Sequence, residues 1–391
     1  VTHSWGLRAW LDDLQRRTMY RRRRVVGSRQ SRELVVDGRP LLNFCSNDYL
    51  GLAGDRRVAE AFAAGAARWG TGSGASHLIC GHTAPHRELE EALAHFTGRP
   101  RALLFSSGYA ANTGAINALL TRGDAVLEDR LNHASLLDGG WISRADFHWY
   151  AHCDVADLDK RLQECAGARR KLVVSDGTFS MDGDRCPLDE VVEVARRHDA
   201  WTMIDDAHGL GVHGTKGCGL VDPSRYGTDD VPVLMGTLGK ALGTFGAFVA
   251  GSEELVETLI QKARSYVFTT ALPAAVAVAT LTSLRIAREE GWRREKLAAL
   301  VARFRCGAEA LGLPLLPSSS PIQPVVVGDP ATTVALARRL EERGLLITPI
   351  RPPTVPEGSS RLRITLTAGH EEADVDRLLA ALGESVGPDG R

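Results

Sequence analysis

Lysine is scarce in this chain: 6 of 391 residues, at positions 160, 171, 216, 240, 262 and 296, while the other basic residues are arginine. Any covalent chemistry that needs an amine therefore has few candidates. The seven cysteines are scattered and form no CxxC pair, which excludes a zinc-ribbon pattern or a disulfide frame and reads as reduced thiols. Charge of one sign is lacking too. With 47 basic and 48 acidic side chains the formal balance is −1, so a dedicated nucleic-acid binder is not expected. No apolar run approaches the roughly 18 residues of a membrane span. Arg21 to Arg24 precede no apolar stretch, so no signal peptide is expected and the chain reads as cytoplasmic. A GxSxG nucleophile elbow is also missing, which weakens a serine-hydrolase reading.

Glycine, by contrast, is plentiful, at 40 residues. It has no three-residue period, which excludes collagen, and 44% hydrophobic content excludes wholesale disorder. From about residue 55, helical stretches (55–69, 84–97, 110–120, 133–144, 155–165, 187–198) alternate with short apolar runs (102–105, 125–128, 147–150, 172–175, 201–205, 233–236, 247–250). This predicts an α/β fold with a mostly parallel sheet between helices. The run at 247–250 follows 233–236 too closely for a helical crossover, so one strand is expected to be antiparallel. Residues 4–24 read as an arginine-rich helix or arm. Residues 274–312 read as helical. Beyond them a strand–helix–strand–strand–helix pattern predicts a smaller α+β domain. The expected organisation is an arm at 1–50, a large domain at 51–283 and a small C-terminal domain at 284–391.

Several motifs fail on inspection. Gly209-x-Gly211-x-x-Gly214 has the dinucleotide spacing, but Gly217, Gly219 and Pro223 leave no helix to receive a pyrophosphate. Gly239-Lys240 lacks the rest of a phosphate-binding P-loop. His82 and His86 have ligand spacing, yet Pro85 interrupts them, and no metal is expected.

Three sites remain. Ser106-Ser107-Gly108-Tyr109 follows a strand and opens a helix, an arrangement suited to an anion. Asp205 and His208 sit where another strand ends, and a partly buried Asp205 needs a cationic or donor partner. Lys240 lies among glycines and apolar residues just past a strand, where desolvation favours a free amine. Lys216, in a glycine-rich loop, is its rival. A lysine for an aldehyde, an acid for a ring nitrogen and an anion site for a phosphate together match pyridoxal 5'-phosphate. His133 could lie flat against its ring.

These motifs resemble the α-oxoamine synthases, pyridoxal-phosphate enzymes of the aspartate-aminotransferase fold. The resemblance rests on Asn43–Gly51, Gly70–Gly74, Asp129–Ser135, Phe179–Asp184, Asp205–Gly209 and Gly236–Lys240 in that order, and on Ile350–Pro356 and Arg361–Thr367. It implies that Lys240 carries the cofactor aldehyde and, once displaced, moves the substrate α-proton. It implies further that Asp205 pairs with the ring nitrogen, His133 stacks on the ring, and His208 bonds its phenolic oxygen with Ser180 close by. Gly108, Tyr109 and Thr237 would hold the phosphate. Thr269 or Thr270 would reach the phosphate of a partner subunit in a homodimer. Asn47 and Arg363 would bind the amino-acid carboxylate, and Arg21 and Thr354 the acyl donor. The implied substrates are L-alanine and a pimeloyl thioester of coenzyme A or acyl carrier protein. The alternative is a family member that transfers an acetyl group to glycine. The chain departs from the family pattern at Asp176, where Glu is usual, and at His77, where Arg is common.

Overall fold

The structure is a computed structural model that describes residues 5–17 and 19–386. In chain order its strands are β1 (Glu33–Val36), β2 (Arg39–Asn43), β3 (Arg101–Phe105), β4 (Ala125–Asp129), β5 (Asp146–Tyr150), β6 (Lys171–Asp176), β7 (Trp201–Asp205), β8 (Val233–Thr237), β9 (Ala247–Gly251), β10 (Ile322–Gly328), β11 (Leu345–Leu346), β12 (Thr348–Ile350) and β13 (Ser360–Thr365).

Two compact units divide the chain. The larger takes residues 47–180 and 184–296 and contains a seven-stranded sheet in the order β3-β9-β8-β7-β6-β4-β5. Every residue of β4 and β9 is buried. Such unbroken burial suits strands covered on both faces, as a sheet with helical crossovers requires. The pairs β4–β5, β4–β6, β6–β7 and β7–β8 are parallel. As expected, β9 is antiparallel, pairing with both β3 and β8. The short connection after β8 permits a reversal but not a parallel crossover, which takes about a dozen residues or more. From β4 the chain steps outward to β5 and then returns to β4's other side with β6 and β7. Ligands of open α/β sheets bind beyond the strand ends at such a reversal. Here those ends carry Asp129, Asp176 and Asp205.

The smaller unit takes the described residues up to 46, residues 181–183, and the described residues from 297 onward. β1 and β2 form a hairpin through Asp37 and Gly38, both at positive φ, 50° and 81°, as a two-residue turn of this hand requires. β11 joins β2 in parallel, and β10-β13-β12 form a second antiparallel sheet.

Several boundaries differ from the sequence expectation. The units divide at 46/47 and 296/297 instead of 50/51 and 283/284. The hairpin of residues 33–43 groups with the C-terminal segment because β11 extends its sheet. The expected strand at 345–350 is split between two sheets at Ile347. The long helix at 274–312 is two helices, Ala274–Glu289 and Trp292–Ala310, parted at Gly291. The N-terminal helix is shorter than expected, Leu7–Arg16. A π-helical turn at His77–Gly81 was not foreseen. Backbone conformation at such short breaks depends on packing, which periodicity does not report.

Candidate active site

Lys240 stands in a tight loop after β8, closed by Gly243 N–H to Lys240 O (2.8 Å) and Thr244 N–H to Leu238 O (2.9 Å). Gly243 has φ 63°, and a side chain there would collide with the backbone of Ala53. The half-buried Lys240 Nζ lies 2.9 Å from His208 Nε2. On the far side of the imidazole, the buried Tyr49 hydroxyl lies 2.6 Å from His208 Nδ1 and also donates to Asn47 Oδ1 (3.3 Å). Lys216, the rival lysine, is exposed in a short 3-10 turn.

A second group forms around Asp205, which is only 4% exposed at the end of β7. Its Oδ2 accepts from Asn112 Nδ2 (2.7 Å) and its Oδ1 from the Ala207 N–H (3.0 Å). The same Asn112 amide donates to Ser135 Oγ (2.9 Å), which lies 2.7 Å from His133 Nδ1. Beside it on β6, Asp176 Oδ2 accepts the His133 backbone N–H (2.6 Å), and the Asp176 N–H donates to Asn132 Oδ1 (3.0 Å). The short Asp176 side chain thus tethers the strand end that carries His133.

Burial lowers the His133 pKa, the Asp205 charge raises it, and the Lys240 charge lowers it further. Asp205 and Lys240 thus act on one ring. Asp176 is pushed well above the usual carboxylate range, first by burial and then by the Asp205 charge. Burial also raises Asp206 to about 7, against donation from the Val221 and Leu220 N–H groups. Asp176 and Asp206 thus hold their protons more readily than an ordinary carboxyl group does.

The helix Gly108–Leu119 begins beside this group, capped by Ser107 Oγ accepting from the Ala110 N–H (3.1 Å). The Gly108 and Tyr109 N–H groups precede the first intrahelical bond, from Ala111 N–H to Ser107 O (3.0 Å), and so face outward to an anion. A Cβ on Gly108 would meet Met235 Cε at 2.9 Å, so a side chain there would require the end of Met235 to shift. Thr237 ends β8, with its hydroxyl donating to Gly246 O (3.2 Å). Ser180 is half-buried in the turn closed by Phe179 N–H to Asp184 O (3.0 Å). Thr269 and Thr270 follow the short helix Arg264–Val267, and Thr270 bridges to Ser76.

In the smaller unit, Arg21 Nη2 lies 3.5 Å from Thr354 Oγ1. Arg363 stands on β13, 7% exposed. Gly209–Gly214 forms turns and leads only into the short 3-10 turn Thr215–Gly217.

Sequence reasoning missed Tyr49 and Asn112. Asn112 lies four residues after Gly108 on one helix face, a spacing that could have flagged it. Nothing local ties residue 49 to residue 208.

These residues fit pyridoxal phosphate. The cluster offers an amine, a buried carboxylate anchored by two donors, a helix N-terminus for a phosphate and a glycine that lets it approach. Among the described residues the buried Asn112 Oδ1 has no partner, so this cluster has polar capacity to spare.

Comparison with known proteins agrees. The aminotransferase class I and II family matches residues 39–382, and the chain belongs to that family. An 8-amino-7-oxononanoate synthase of Pseudomonas putida is 59% identical over 381 residues, covering 97% of both chains. Among solved structures, the 8-amino-7-oxononanoate synthase of Francisella tularensis is 27% identical with TM-score 0.78, covering 88% of this chain and 98% of that one. A serine palmitoyltransferase from S. paucimobilis, solved with bound PLP and myriocin, is 31% identical with TM-score 0.91, covering 98% and 97%. The cofactor is pyridoxal phosphate, and within the family the chain groups with the α-oxoamine synthases.

One pH dependence follows from the support beneath His133. Asn132 Nδ2 donates to Glu128 Oε2 (3.2 Å), and the buried Glu128 Oε1 has no partner. Burial raises Glu128 to about 8. Folding therefore binds this proton more tightly than the unfolded chain, whose glutamate titrates near about 4.3. The contribution is full below the unfolded value and is lost as pH rises to about 8. Glu128→Gln should remove that loss, so urea midpoints of variant and wild type should diverge in the variant's favour from about pH 5 upward.

Proposed function

We propose that the chain condenses L-alanine with a pimeloyl thioester, releasing carbon dioxide and the thiol and forming 8-amino-7-oxononanoate, a step of biotin biosynthesis. The observation that carries the reading is the pairing of Lys240 Nζ with His208 Nε2 at 2.9 Å in the unit that also holds the buried Asp205. Near-full-length likeness to enzymes of that name supports it.

Bound pyridoxal phosphate supplies an electron sink for negative charge at the amino-acid α-carbon. Lys240 would hold its aldehyde, and the Lys240 amine would take the α-proton. Asp205 keeps the proton on the ring nitrogen, and Asn112 and the Ala207 N–H hold Asp205 as the acceptor. His133 provides a flat face, fixed by Asp176 and Ser135. Tyr49 orients His208 toward Lys240, and His208 would bond the phenolic oxygen of the cofactor. The Gly108 and Tyr109 N–H groups and the Thr237 hydroxyl bind the phosphate, with Thr269 or Thr270 of a partner copy completing it in a homodimer. Ser180 would lie close to the ring. The α-carbon attacks the thioester carbonyl, the sulfur departs and takes up a proton as the thiol, the former alanine carboxylate leaves as carbon dioxide, and a proton returned to the α-carbon gives the amino-ketone. Asn47 and Arg363 orient that carboxylate, a planar guanidinium being suited to bidentate contact. Arg21 and Thr354 hold the far carboxylate of the pimeloyl chain, carried by coenzyme A or acyl carrier protein.

Product formation with alanine, glycine and serine in turn tests the assignment. Alanine should support turnover with pimeloyl-coenzyme A. Turnover with glycine or serine but not alanine would reassign the chain within its family. Lys240→Ala should abolish borohydride trapping of the cofactor and lower kcat by several orders of magnitude, whereas Lys216→Ala should do neither. Arg21→Ala should raise KM for the pimeloyl donor by about tenfold or more, the scale of one lost charged contact, with a smaller effect on KM for alanine. Equal effects would remove Arg21 from the donor site.

A further inference from the structure

Away from Lys240, three loops of the larger unit bring together a histidine, a thiol and two carboxylates. Asp129 ends β4, His152 and Cys153 follow β5, and Asp184 closes the turn after β6. His152 Nδ1 lies 3.0 Å from Asp129 Oδ1. On the other edge of the ring, Nε2 lies 2.7 Å from Asp184 Oδ2 and 3.8 Å from Cys153 Sγ. Cys153 Sγ and Asp184 Oδ2 are 4.0 Å apart.

We propose that His152 Nε2, Cys153 Sγ and Asp184 Oδ2 form a binding site for one thiophilic divalent cation of the zinc class, with Asp129 as the outer carboxylate that fixes the imidazole.

Tetrahedral zinc, with bonds of about 2.3 Å to sulfur and about 2.0–2.1 Å to nitrogen or oxygen, separates its ligand atoms by about 3.3–3.6 Å. The three atoms here straddle that range, so shifts of about half an ångström suffice. The remaining geometry favours a metal. Asp129 is buried and rigid, its carboxylate also accepting the Leu131 and Cys153 N–H groups at 2.8 Å each. A carboxylate behind a histidine is the usual outer support of a zinc ligand. Cys153 has φ 53°, an unusual conformation for a non-glycine residue, and it turns the thiol toward His152. Asp184 Oδ1 is buried without a partner. Phe179 packs edge-on against the His152 ring, centroids 4.4 Å apart, and walls one side. His152 and Asp184 keep 25% and 23% side-chain exposure, which leaves an entry path. Metal binding displaces the protons on His152 Nε2 and the Cys153 thiol, as it does for any histidine–thiol pair.

Calorimetric titration of the chelator-treated holoenzyme with Zn²⁺ tests the site. One equivalent should bind, and Cys153→Ser and Asp184→Asn should each weaken it at least about tenfold, with Asp129→Asn weakening it roughly 10–100-fold. His82→Ala, in a separate histidine cluster, should leave it unchanged. Alkylation of the wild type, read by mass spectrometry, provides a check without variants: Zn²⁺ should protect Cys153 but not the exposed Cys80 or Cys306. Absence of binding, wild-type affinity in Cys153→Ser or Asp184→Asn, or unprotected Cys153 would overturn the proposal and leave His152 as a cation bridging two carboxylates.

Discussion

A carboxylate removed from water at the end of a strand is the constraint around which the larger unit is arranged. Asp205 is 4% exposed, and burying a charge without partners is prohibitive. Two neutral donors, the Asn112 amide and the Ala207 N–H, support it without neutralising it, so the charge remains available to a protonated ring nitrogen. Two adjacent acids are pushed upward from the usual carboxylate range, Asp176 by burial and then the charge of Asp205, Asp206 mainly by burial.

The sheet explains how these groups meet. Parallel strands place all their carboxyl ends on one edge, and the reversal at β4 opens a crevice there. Asp129, Asp176 and Asp205 end β4, β6 and β7, and Lys240 follows β8. The glycines around them serve close approach. Side chains at Gly209 or Gly219 would collide with the Asp206 carboxylate, which instead accepts the Leu220 N–H (2.6 Å) and anchors the turn beyond His208. The same edge supplies the Asp129–His152–Asp184 cluster, so one topological feature gathers two groups of polar side chains with different chemistry.

Much of the architecture was legible in the sequence. The runs 125–128, 172–175 and 201–205 became strands because they are short and mostly apolar, the pattern of a sheet covered on both faces. The antiparallel β9 followed from connection length alone. Lys240 stood out through the rarity of lysine and its setting among glycines. Less legible were the breaks. The split of 345–350 between two sheets and the interruption at Gly291 depend on partners far along the chain.

The sequence by itself determined the α/β class and the cofactor chemistry, and it singled out Lys240, Asp205, His133 and His208 as candidates. Each sits at a strand-to-loop junction that local patterning identifies. Only the tertiary structure decided that Tyr49 orients His208, that Asn112 holds Asp205, that Asp176 tethers the strand end bearing His133, and that His152, Cys153 and Asp184 converge. Those contacts join residues up to 159 positions apart. They form because separate strands end side by side, an adjacency set by sheet order and not by any local pattern of residues.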